Sequence, residues 1–168
     1  NQGMSDEQIF QAGLIVKKKS GVGYVDRFRQ RLMFPISDSQ NRVVGFTSRT
    51  LANIVFPEED FGGKYINSPQ TAIYDKSRVR YGWPLAKETI RQKKYLIVVE
   101  GNLDAVMAHQ AGTVNTIAVS GTAMTLEHIK LIKRYANNMI LAFDGDAAGS
   151  RAAFRSFALG WQQDMNLK

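Results

Sequence analysis

The stretch YLIVVEGNLDAVMAHQAG, Tyr95–Gly112, decides the fold, because an apolar strand ends abruptly at a glutamate and a glycine and a helix follows. The five residues YLIVV are typical of a short buried strand, and LDAVMAHQAG predicts a helix that ends at Gly112. Glu100 stands between these elements, and Asp104 follows it within about one helical turn, at the start of the predicted helix. Because two nearby carboxylates repel each other, this arrangement predicts a cation between them.

The rest of the second half repeats the alternation of strand and helix, with Thr125 as the expected N-cap of the second helix. The further segments are NTIAVS, TLEHIKLIKRYA, NMILAF and DAAGSRAAFRSFALG. A β-α-β-α-β-α order predicts a Rossmann-like parallel sheet, and ligands of such sheets bind beyond the carboxyl ends of the strands. Glu100 directly follows the first strand and Asp144 the third, so both are expected at the same edge.

Composition limits the class of protein. The chain has 168 residues, of which 44% are hydrophobic, so it is long enough to bury a core. It has no cysteine, which excludes disulfides, cysteine zinc clusters and thiol catalysis within this segment. The apolar runs are too short to cross a bilayer and no secretory signal opens the chain, which predicts a cytoplasmic protein without a membrane partner.

The net charge of +7 is unevenly distributed along the chain. Residues 1–94 carry 16 Lys and Arg against 9 Asp and Glu, a difference of +7, whereas residues 95–168 carry 6 of each. A basic surface on one part of a protein is typical of a polyanion partner. The alternative is a surface that serves only solubility, and charge alone does not separate the two.

The first half contains short strands and turns. DRFRQRLMFPISD alternates arginines with apolar residues, the turn DSQN follows, and RVVGFTSRTL completes a predicted hairpin with one apolar and one cationic face. The segment from Phe56 to Gly63 predicts an exposed loop. We expect a domain boundary near Lys93, which gives a basic, mixed α/β subdomain over 1–93 and a second domain over 94–168.

A second pair of acids, Asp144 and Asp146, stands in LAFDGDAAGSR at a strand-to-helix turn. Carboxylates from separate strand ends, with no cysteine or histidine beside them, suit Mg²⁺ or Mn²⁺, and such metals serve phosphoryl transfer. Alternatively, Asp146 simply caps the helix that follows. The spacing excludes an EF-hand, because its twelfth loop position would be Arg155, and a dinucleotide fold would need a G-x-G-x-x-G after the first strand.

The E-G-x-x-D and D-G-D motifs, each at a strand end, resemble the toprim domain. This domain is shared by bacterial primases, type IA and type II topoisomerases, OLD-type nucleases and recombination mediators. The resemblance implies that Glu100 acts as general acid or base or positions a metal, and that Asp144 and Asp146 hold Mg²⁺. Asp104 matches the last acid of the first motif. The segment AVSGTAMT, 118–125, is similar to the primase segment between the two motifs.

The first half resembles the RNA-polymerase core of bacterial, DnaG-type primases in two segments, RFRQRLMFPISDSQNRVVGFTSRTL and KYINSPQTAIYDKSRVRYG. Two sets of basic or polar residues are implied to bind nucleic acid or nucleotides. The family motif implies that Lys64, Asn67 and Lys76 face the template or the incoming nucleotides. The resemblance implies that Arg27, Arg29 and Arg31 contact phosphates.

The implied function is synthesis of RNA primers for bacterial DNA replication, on a single-stranded DNA template and from ribonucleoside triphosphates. The resemblance also implies a fragment of a larger, nucleoid-associated primosome protein. A further strand with an acidic pair, which would complete the toprim domain, a zinc-binding amino-terminal domain and a domain that binds the replicative helicase are all expected outside these residues. The alternatives are a toprim nuclease or topoisomerase fragment and a non-catalytic nucleic-acid-binding module.

Overall fold

A computed structural model describes residues 3–51, 63–120 and 124–168 of the chain. The described helices are α1 (Asp6–Gln11), α2 (Trp83–Lys93), α3 (Asn102–Gln110), α4 (Leu126–Lys133) and α5 (Ala147–Trp161). The described strands are β1 (Ile15–Lys17), β2 (Tyr24–Asp26), β3 (Arg31–Ser37), β4 (Val43–Thr50), β5 (Tyr65–Asn67), β6 (Tyr95–Val99), β7 (Thr116–Ala118), β8 (Asn138–Ala142) and β9 (Asn166–Leu167). The chain divides into two compact units, the first comprising Asn1–Ile36 and Val43–Asp75, the second Ser37–Arg42 and Lys76–Lys168.

The first unit contains two small sheets. Strands β1 and β2 form an antiparallel pair, and a second sheet has the order β3-β4-β5. The predicted hairpin is confirmed, since β3 and β4 are neighbours joined by the turn that begins at Asp38. The backbone N–H of Asp38 donates to the carbonyl of Arg42, and Asn41 has a φ of 64°, a left-handed conformation that asparagine tolerates better than most residues.

The predicted cationic face of the first strand is wrong at its start. Strand β3 begins only at Arg31, and the preceding Gln30 has a φ of 51°, which interrupts an extended backbone. The alternation of arginines therefore does not continue along one strand face. Arg31 is 9% exposed and its Nη2 donates to the carbonyl of Gly63 at 2.9 Å, whereas Leu32 is 49% exposed.

The second unit contains the predicted parallel sheet, with strand order β7-β6-β8-β9. In register, Val99 at the end of β6 lies opposite Ala118 of β7 and Ala142 of β8. The predicted cap of α4 is confirmed, because Thr125 accepts a hydrogen bond from the backbone N–H of His128. The expectation that the strand after the last helix lies outside these residues is wrong, because β9 follows α5 and pairs in parallel with β8.

Two clusters of buried hydrophobic residues lie in the second unit. The larger comes from the sheet, from α2 and α4 and from the segments that connect these elements: Trp83, Ala86, Ile90, Leu96, Val98, Ile117, Val119, Met124, Ile129, Ile132, Ala136, Met139 and Met165. The smaller consists of Val99, Ala105 and Ala118. Helix α2 packs in this unit because its apolar residues Trp83, Ala86 and Ile90 recur on one helical face. The long segment of the second unit therefore begins at Lys76 and includes α2, whereas the domain boundary predicted from the sequence lies near Lys93.

Two predicted segments fall partly outside the described residues. The expected exposed loop from Phe56 lies outside them except for Gly63, and positions 121–123 of the segment 118–125 also lie outside. Among the helices that the structure describes, none combines the length and the apolar character needed to span a bilayer.

Candidate functional site

Two acidic residues follow neighbouring strands at one edge of the parallel sheet. Glu100 comes directly after β6, and Asp144 comes two residues after the end of β8. Because the two strands are paired and parallel, with Val99 opposite Ala142, their carboxyl ends lie side by side. The fold therefore brings the E-G-x-x-D and D-G-D motifs to the same edge of one sheet.

Glu100 carries an unsatisfied acceptor. Its side chain is half-buried, and no residue that the structure describes donates a hydrogen bond to its buried oxygen Oε2. A buried carboxylate oxygen without a donor is unfavourable, because it has lost water and gained nothing in return. A cation bound at this oxygen would remove the penalty, so the observation fits the divalent metal that the motif implies.

Asp144 is exposed, and within the described residues its side chain makes no hydrogen bond or ion pair. Its main chain is tightly held, since the carbonyl group of Asp144 lies directly against Gly149 in the first turn of α5. A Cβ added at Gly149 would lie 3.0 Å from the carbonyl carbon of Asp144 and closer still to its oxygen. The glycine thus allows the helix to begin against the D-G-D turn.

Asp146 is the N-cap of α5, as the alternative interpretation of the sequence predicted. Its Oδ1 accepts hydrogen bonds from the backbone N–H groups of Ala148 at 2.9 Å and Gly149 at 2.7 Å. Oδ2 makes no hydrogen bond within the described part of the chain and keeps its lone pairs for another ligand. Capping therefore occupies one oxygen of this carboxylate and leaves the other available.

Asp104 also supports the local backbone. Its Oδ2 accepts a hydrogen bond from the backbone N–H of Gly101 at 3.0 Å, which fixes the turn between β6 and α3. The neighbouring Asn102 is buried, and its Oδ1 accepts a 2.6 Å hydrogen bond from the hydroxyl of Ser120. This residue is not among those predicted from the sequence. Ser120 follows β7 and has a φ of 58°, and this contact joins the turn after β6 to the end of β7.

No three His, Asp or Glu side chains of the described residues form a group that could hold a metal ion by themselves. Glu100 and Asp144 share an edge, while Asp104 and Asp146 each use one oxygen for a backbone amide. This donor set suits a metal that takes few protein ligands. Mg²⁺ commonly binds one or two carboxylates and fills its other positions with water and substrate phosphate.

The predicted basic residues differ in their exposure. Arg27 is half-buried and its Nε donates to the carbonyl of Gly13 at 2.8 Å, whereas Arg29 and Lys64 are exposed. Asn67 is half-buried, and its buried Oδ1 accepts no hydrogen bond from the part of the chain that the structure describes. Lys76 is half-buried and belongs to the second unit, so the structure places these residues in two units.

One aromatic residue stands out among these cations. Tyr65 in β5 is 49% exposed, with the Nζ of Lys64 5.6 Å and the Cζ of Arg49 5.9 Å from its ring centroid. Arg49 lies directly opposite Tyr65 in the antiparallel pairing. Tyr65 is not among the nucleic-acid-binding residues predicted from the sequence, because an aromatic residue beside apolar ones is more often part of a core, as Tyr74 and Trp83 are here. The exposure of Tyr65 and its position opposite Arg49 distinguish it from these two buried residues.

Two family models cover most of the chain. Residues 1–87 match the DNA primase catalytic core, N-terminal domain, and residues 94–168 match the Toprim domain. A DNA primase of Helicobacter pylori is 41% identical over 156 residues, which is 93% of this chain and 27% of that protein. The chain thus spans about a quarter of the length of this relative.

Solved structures agree with the family models. One is a structure of the Aquifex aeolicus primase that contains the zinc-binding and RNA polymerase domains. It is 32% identical in sequence, with a TM-score of 0.82, and the match covers 96% of this chain and 38% of the Aquifex chain. A DnaG primase catalytic domain bound to single-stranded DNA is 39% identical with a TM-score of 0.76, covering 89% of this chain and 44% of its own. The matched models, the parallel sheet and the two acidic motifs at its edge together show that this chain belongs to the DNA primase catalytic-core family.

Proposed function

We propose that this chain is part of the RNA-polymerase core of a bacterial DNA primase, an enzyme that synthesises RNA primers on single-stranded DNA in the cytoplasm. One observation carries the proposal: Glu100 and Asp144 lie just beyond the ends of adjacent parallel strands, and the buried Oε2 of Glu100 has no partner among the described residues. Residues 94–168 would act as the toprim domain and 1–93 as the basic subdomain that holds polyanions. The family-model matches over 94–168 and 1–87 support this division.

The acidic residues at the sheet edge would hold a divalent cation, Mg²⁺ or Mn²⁺. Glu100, Asp144 and the free oxygen of Asp146 would be its ligands, with Asp104 holding the turn that presents Glu100. When bound, the cation would neutralise charge on the transferred phosphoryl group and its leaving group. Glu100 would either position the metal or take up the proton that the attacking 3′-hydroxyl of the primer must lose.

The basic subdomain would bind the template and the ribonucleoside triphosphates. Tyr65 offers an exposed ring on which a base can stack, and Lys64 and Arg49 beside it offer charges for phosphates. Asn67, with a free buried carbonyl oxygen, would accept a hydrogen bond from a base or a ribose hydroxyl. Arg27, Arg29, Arg31 and Lys76 would contribute to phosphate binding through their charge. The single-stranded DNA in the related catalytic domain supports this assignment.

The zinc-binding module and the module that contacts the replicative helicase would lie in other parts of the longer protein. The name of the Aquifex aeolicus structure supports the first of these assignments, since it gives the zinc-binding domain as a domain separate from the RNA polymerase domain.

The test compares primer synthesis by the longer protein and two charge-neutralised variants. Asp144→Asn removes one ligand charge while keeping the size of the side chain, and we expect the rate to fall about 100-fold or more, equivalent to about 2.7 kcal/mol. Asp164→Asn is the matched control, because Asp164 is a 95% exposed aspartate of the same unit whose only ion pair in the described chain, with Lys133, is 3.9 Å long. The assay counts oligoribonucleotides made on a single-stranded template with Mg²⁺, and again after chelation. Equal rates for Asp144→Asn and wild type would disprove the proposal.

A further inference from the structure

We propose that Arg80, assisted by Arg78, forms a phosphate-binding site in the second unit that is separate from the acidic edge. Arg80 lies in the segment before α2 and is only 8% exposed. Its guanidinium lies over Trp83, with Cζ 5.7 Å from the centroid of the ring. This site does not depend on the metal chemistry of the proposed function.

The charge of Arg80 is not compensated within the described chain. No carboxylate of the described residues forms an ion pair with it, and none of these residues accepts a hydrogen bond from its buried Nε. Two exposed arginines show the opposite arrangement, since Arg42 and Arg91 have the partners Asp38 at 2.7 Å and Glu88 at 2.9 Å. Burying a cation without an anion is unfavourable, because the cation loses its hydration and gains no opposite charge. Binding an anion would compensate for this loss.

The electrostatic surroundings of Arg80 favour an anion. Burial, and after it the positive charge of Arg78, lowers the pKa of Arg80 to about 10. The side chain therefore remains protonated at neutral pH. Arg78 is exposed and close enough to act on Arg80, so the local field is positive, and a negative ligand would be attracted by both guanidinium groups.

The guanidinium is also held in place, as a binding group should be. Trp83 belongs to the core, where its ring packs edge-on against Tyr135 at 5.0 Å. The backbone of Tyr81 forms two hydrogen bonds with the backbone of Ala118: its N–H donates at 3.1 Å and its C=O accepts at 3.0 Å. Arg80 thus sits between a backbone bridge and a buried ring, and little ordering entropy would be lost on binding.

The chemistry of the ligand follows from the shape of the group. A planar guanidinium presents parallel N–H donors that match two oxygens of a phosphate, and its stacking on an aromatic ring leaves its edge for such contacts. Within this family the phosphate can come from the backbone of an oligonucleotide or from a nucleoside triphosphate. Both sources carry a tetrahedral, negatively charged phosphate group, and Arg80 would bind its oxygens.

The first experiment measures thermal unfolding of the 168-residue chain in chloride and in inorganic phosphate at equal ionic strength, with a chelator present. We expect the midpoint of wild type to rise with phosphate concentration, since a ligand that binds only the folded state stabilises it. Arg80→Leu should lose this rise, and in chloride it should be at least as stable as wild type because an unpaired buried charge is gone. Arg91→Leu, at an exposed arginine of the same unit, should keep the rise.

Two results would overturn the proposal. In the first, phosphate does not raise the unfolding midpoint of wild type; in the second, it raises the midpoint of Arg80→Leu as much as that of wild type. If Arg80→Leu does not unfold cooperatively, Arg80→Lys takes its place, because lysine keeps the charge but not the planar fork. In that variant we expect less than half of the wild-type rise, and an undiminished rise again overturns the proposal.

The second experiment distinguishes the two phosphate sources. Binding of a fluorescent oligodeoxythymidylate and of ATP is measured for wild type and Arg80→Leu over a range of salt concentrations. If the phosphate belongs to a nucleic-acid backbone, the slope of log affinity for the oligonucleotide against log salt should fall by about 0.7 in the variant. If it belongs to the nucleotide, only the affinity for ATP should fall. Unchanged binding of both ligands would refute the site, whereas the test of primer synthesis with Asp144→Asn would be unaffected.

Discussion

A single carboxylate, Asp146, shows how one residue can serve both the fold and the proposed chemistry. Its Oδ1 caps α5 through the amides of Ala148 and Gly149, and the other oxygen is available. The two roles can be separated, because asparagine caps helices as well as aspartate does but carries no charge. We predict that Asp146→Asn changes the free energy of unfolding by less than about 0.5 kcal/mol, whereas Asp146→Ala loses about 1 kcal/mol.

Both Asp146 variants should lose metal-dependent primer synthesis to a similar extent, because both lack the charge. Urea unfolding of the chain measures the capping role, and primer synthesis by the longer protein measures the proposed metal role. If Asp146→Asn kept full activity, the aspartate would be only a cap.

The buried phenol of Tyr74 makes a prediction about alkaline stability. Tyr74 is 1% exposed, and burial raises the pKa of its hydroxyl to about 12 from the ordinary 10. Because the folded state holds the proton more tightly, the associated stabilisation is complete below pH 10 and is lost as the pH rises towards 12. Between pH 8 and pH 11 the loss amounts to about 1 kcal/mol.

The measurement for Tyr74 is denaturant unfolding of wild type and Tyr74→Phe at pH 8 and pH 11. The other ionisable groups contribute equally to both proteins, so the difference between them isolates this hydroxyl. We expect Tyr74→Phe to lose about 1 kcal/mol less than wild type over this interval. An identical loss in both proteins would mean that the phenol ionises in the folded state as it does in water.

At the level of single residues, the sequence predicted best where position along a strand decided the outcome. Glu100 and Asp144 come within two residues of the ends of apolar strands, so the β-α alternation was enough to place them at one edge. The exposure of Tyr65 and the burial of Arg80 could not be predicted, because both depend on residues distant in sequence. Aspartate suits a cap and a metal equally well, and for that reason Asp146 stayed ambiguous.

Among the elements, the turn between β8 and α5 is the one on which the proposed site depends most. Gly149 stands in the first turn of the helix, and its lack of a side chain lets the carbonyl of Asp144 approach. Glycine to alanine inside a helix normally stabilises a protein by about 0.5–1 kcal/mol. Here we predict the opposite sign, because the new Cβ would meet backbone atoms that cannot move without displacing the D-G-D turn.

Gly149→Ala should therefore lower the free energy of unfolding by about 2 kcal/mol or more and greatly reduce primer synthesis. Gly145→Ala is the matched control in the same turn, since a Cβ added there meets nothing within 4 Å. It should change stability by less than about 0.5 kcal/mol. Chemical unfolding of the two variants provides the comparison, and equal stabilities would show that the turn can adapt.

The sequence predicted elements well where a periodic pattern persisted and poorly where the backbone changed conformation. The alternation of apolar strands and helices over Tyr95–Trp161 was sufficient for the parallel sheet. The arginine alternation before Met33 was misleading, because the left-handed backbone of Gln30 interrupts the strand. A single residue with positive φ leaves no signal in a pattern of polar and apolar side chains.

For the whole molecule, the distribution of charge is the property that bears on function. The excess of +7 lies entirely within residues 1–94, while residues 95–168 are balanced. If the first part binds the backbone of single-stranded DNA, cations must be released from the strand on binding, and the affinity must fall as salt rises. If the basic residues serve only solubility, removing a few of them should hardly alter this salt dependence.

Two exposed cations beside Tyr65 provide the sharpest test of this difference. We predict that the double variant Arg49→Gln with Lys64→Gln lowers the slope of log affinity against log salt by about 1.4, which is about 0.7 for each phosphate contact on a single strand. The control variant Lys130→Gln with Arg134→Gln removes two exposed cations from the end of α4, in the balanced half, and should leave the slope unchanged. Fluorescence anisotropy of a labelled oligodeoxythymidylate gives both slopes. Equal slopes for the two double variants would show that net charge alone attracts DNA and that the strand pair β4–β5 contributes no specific contact.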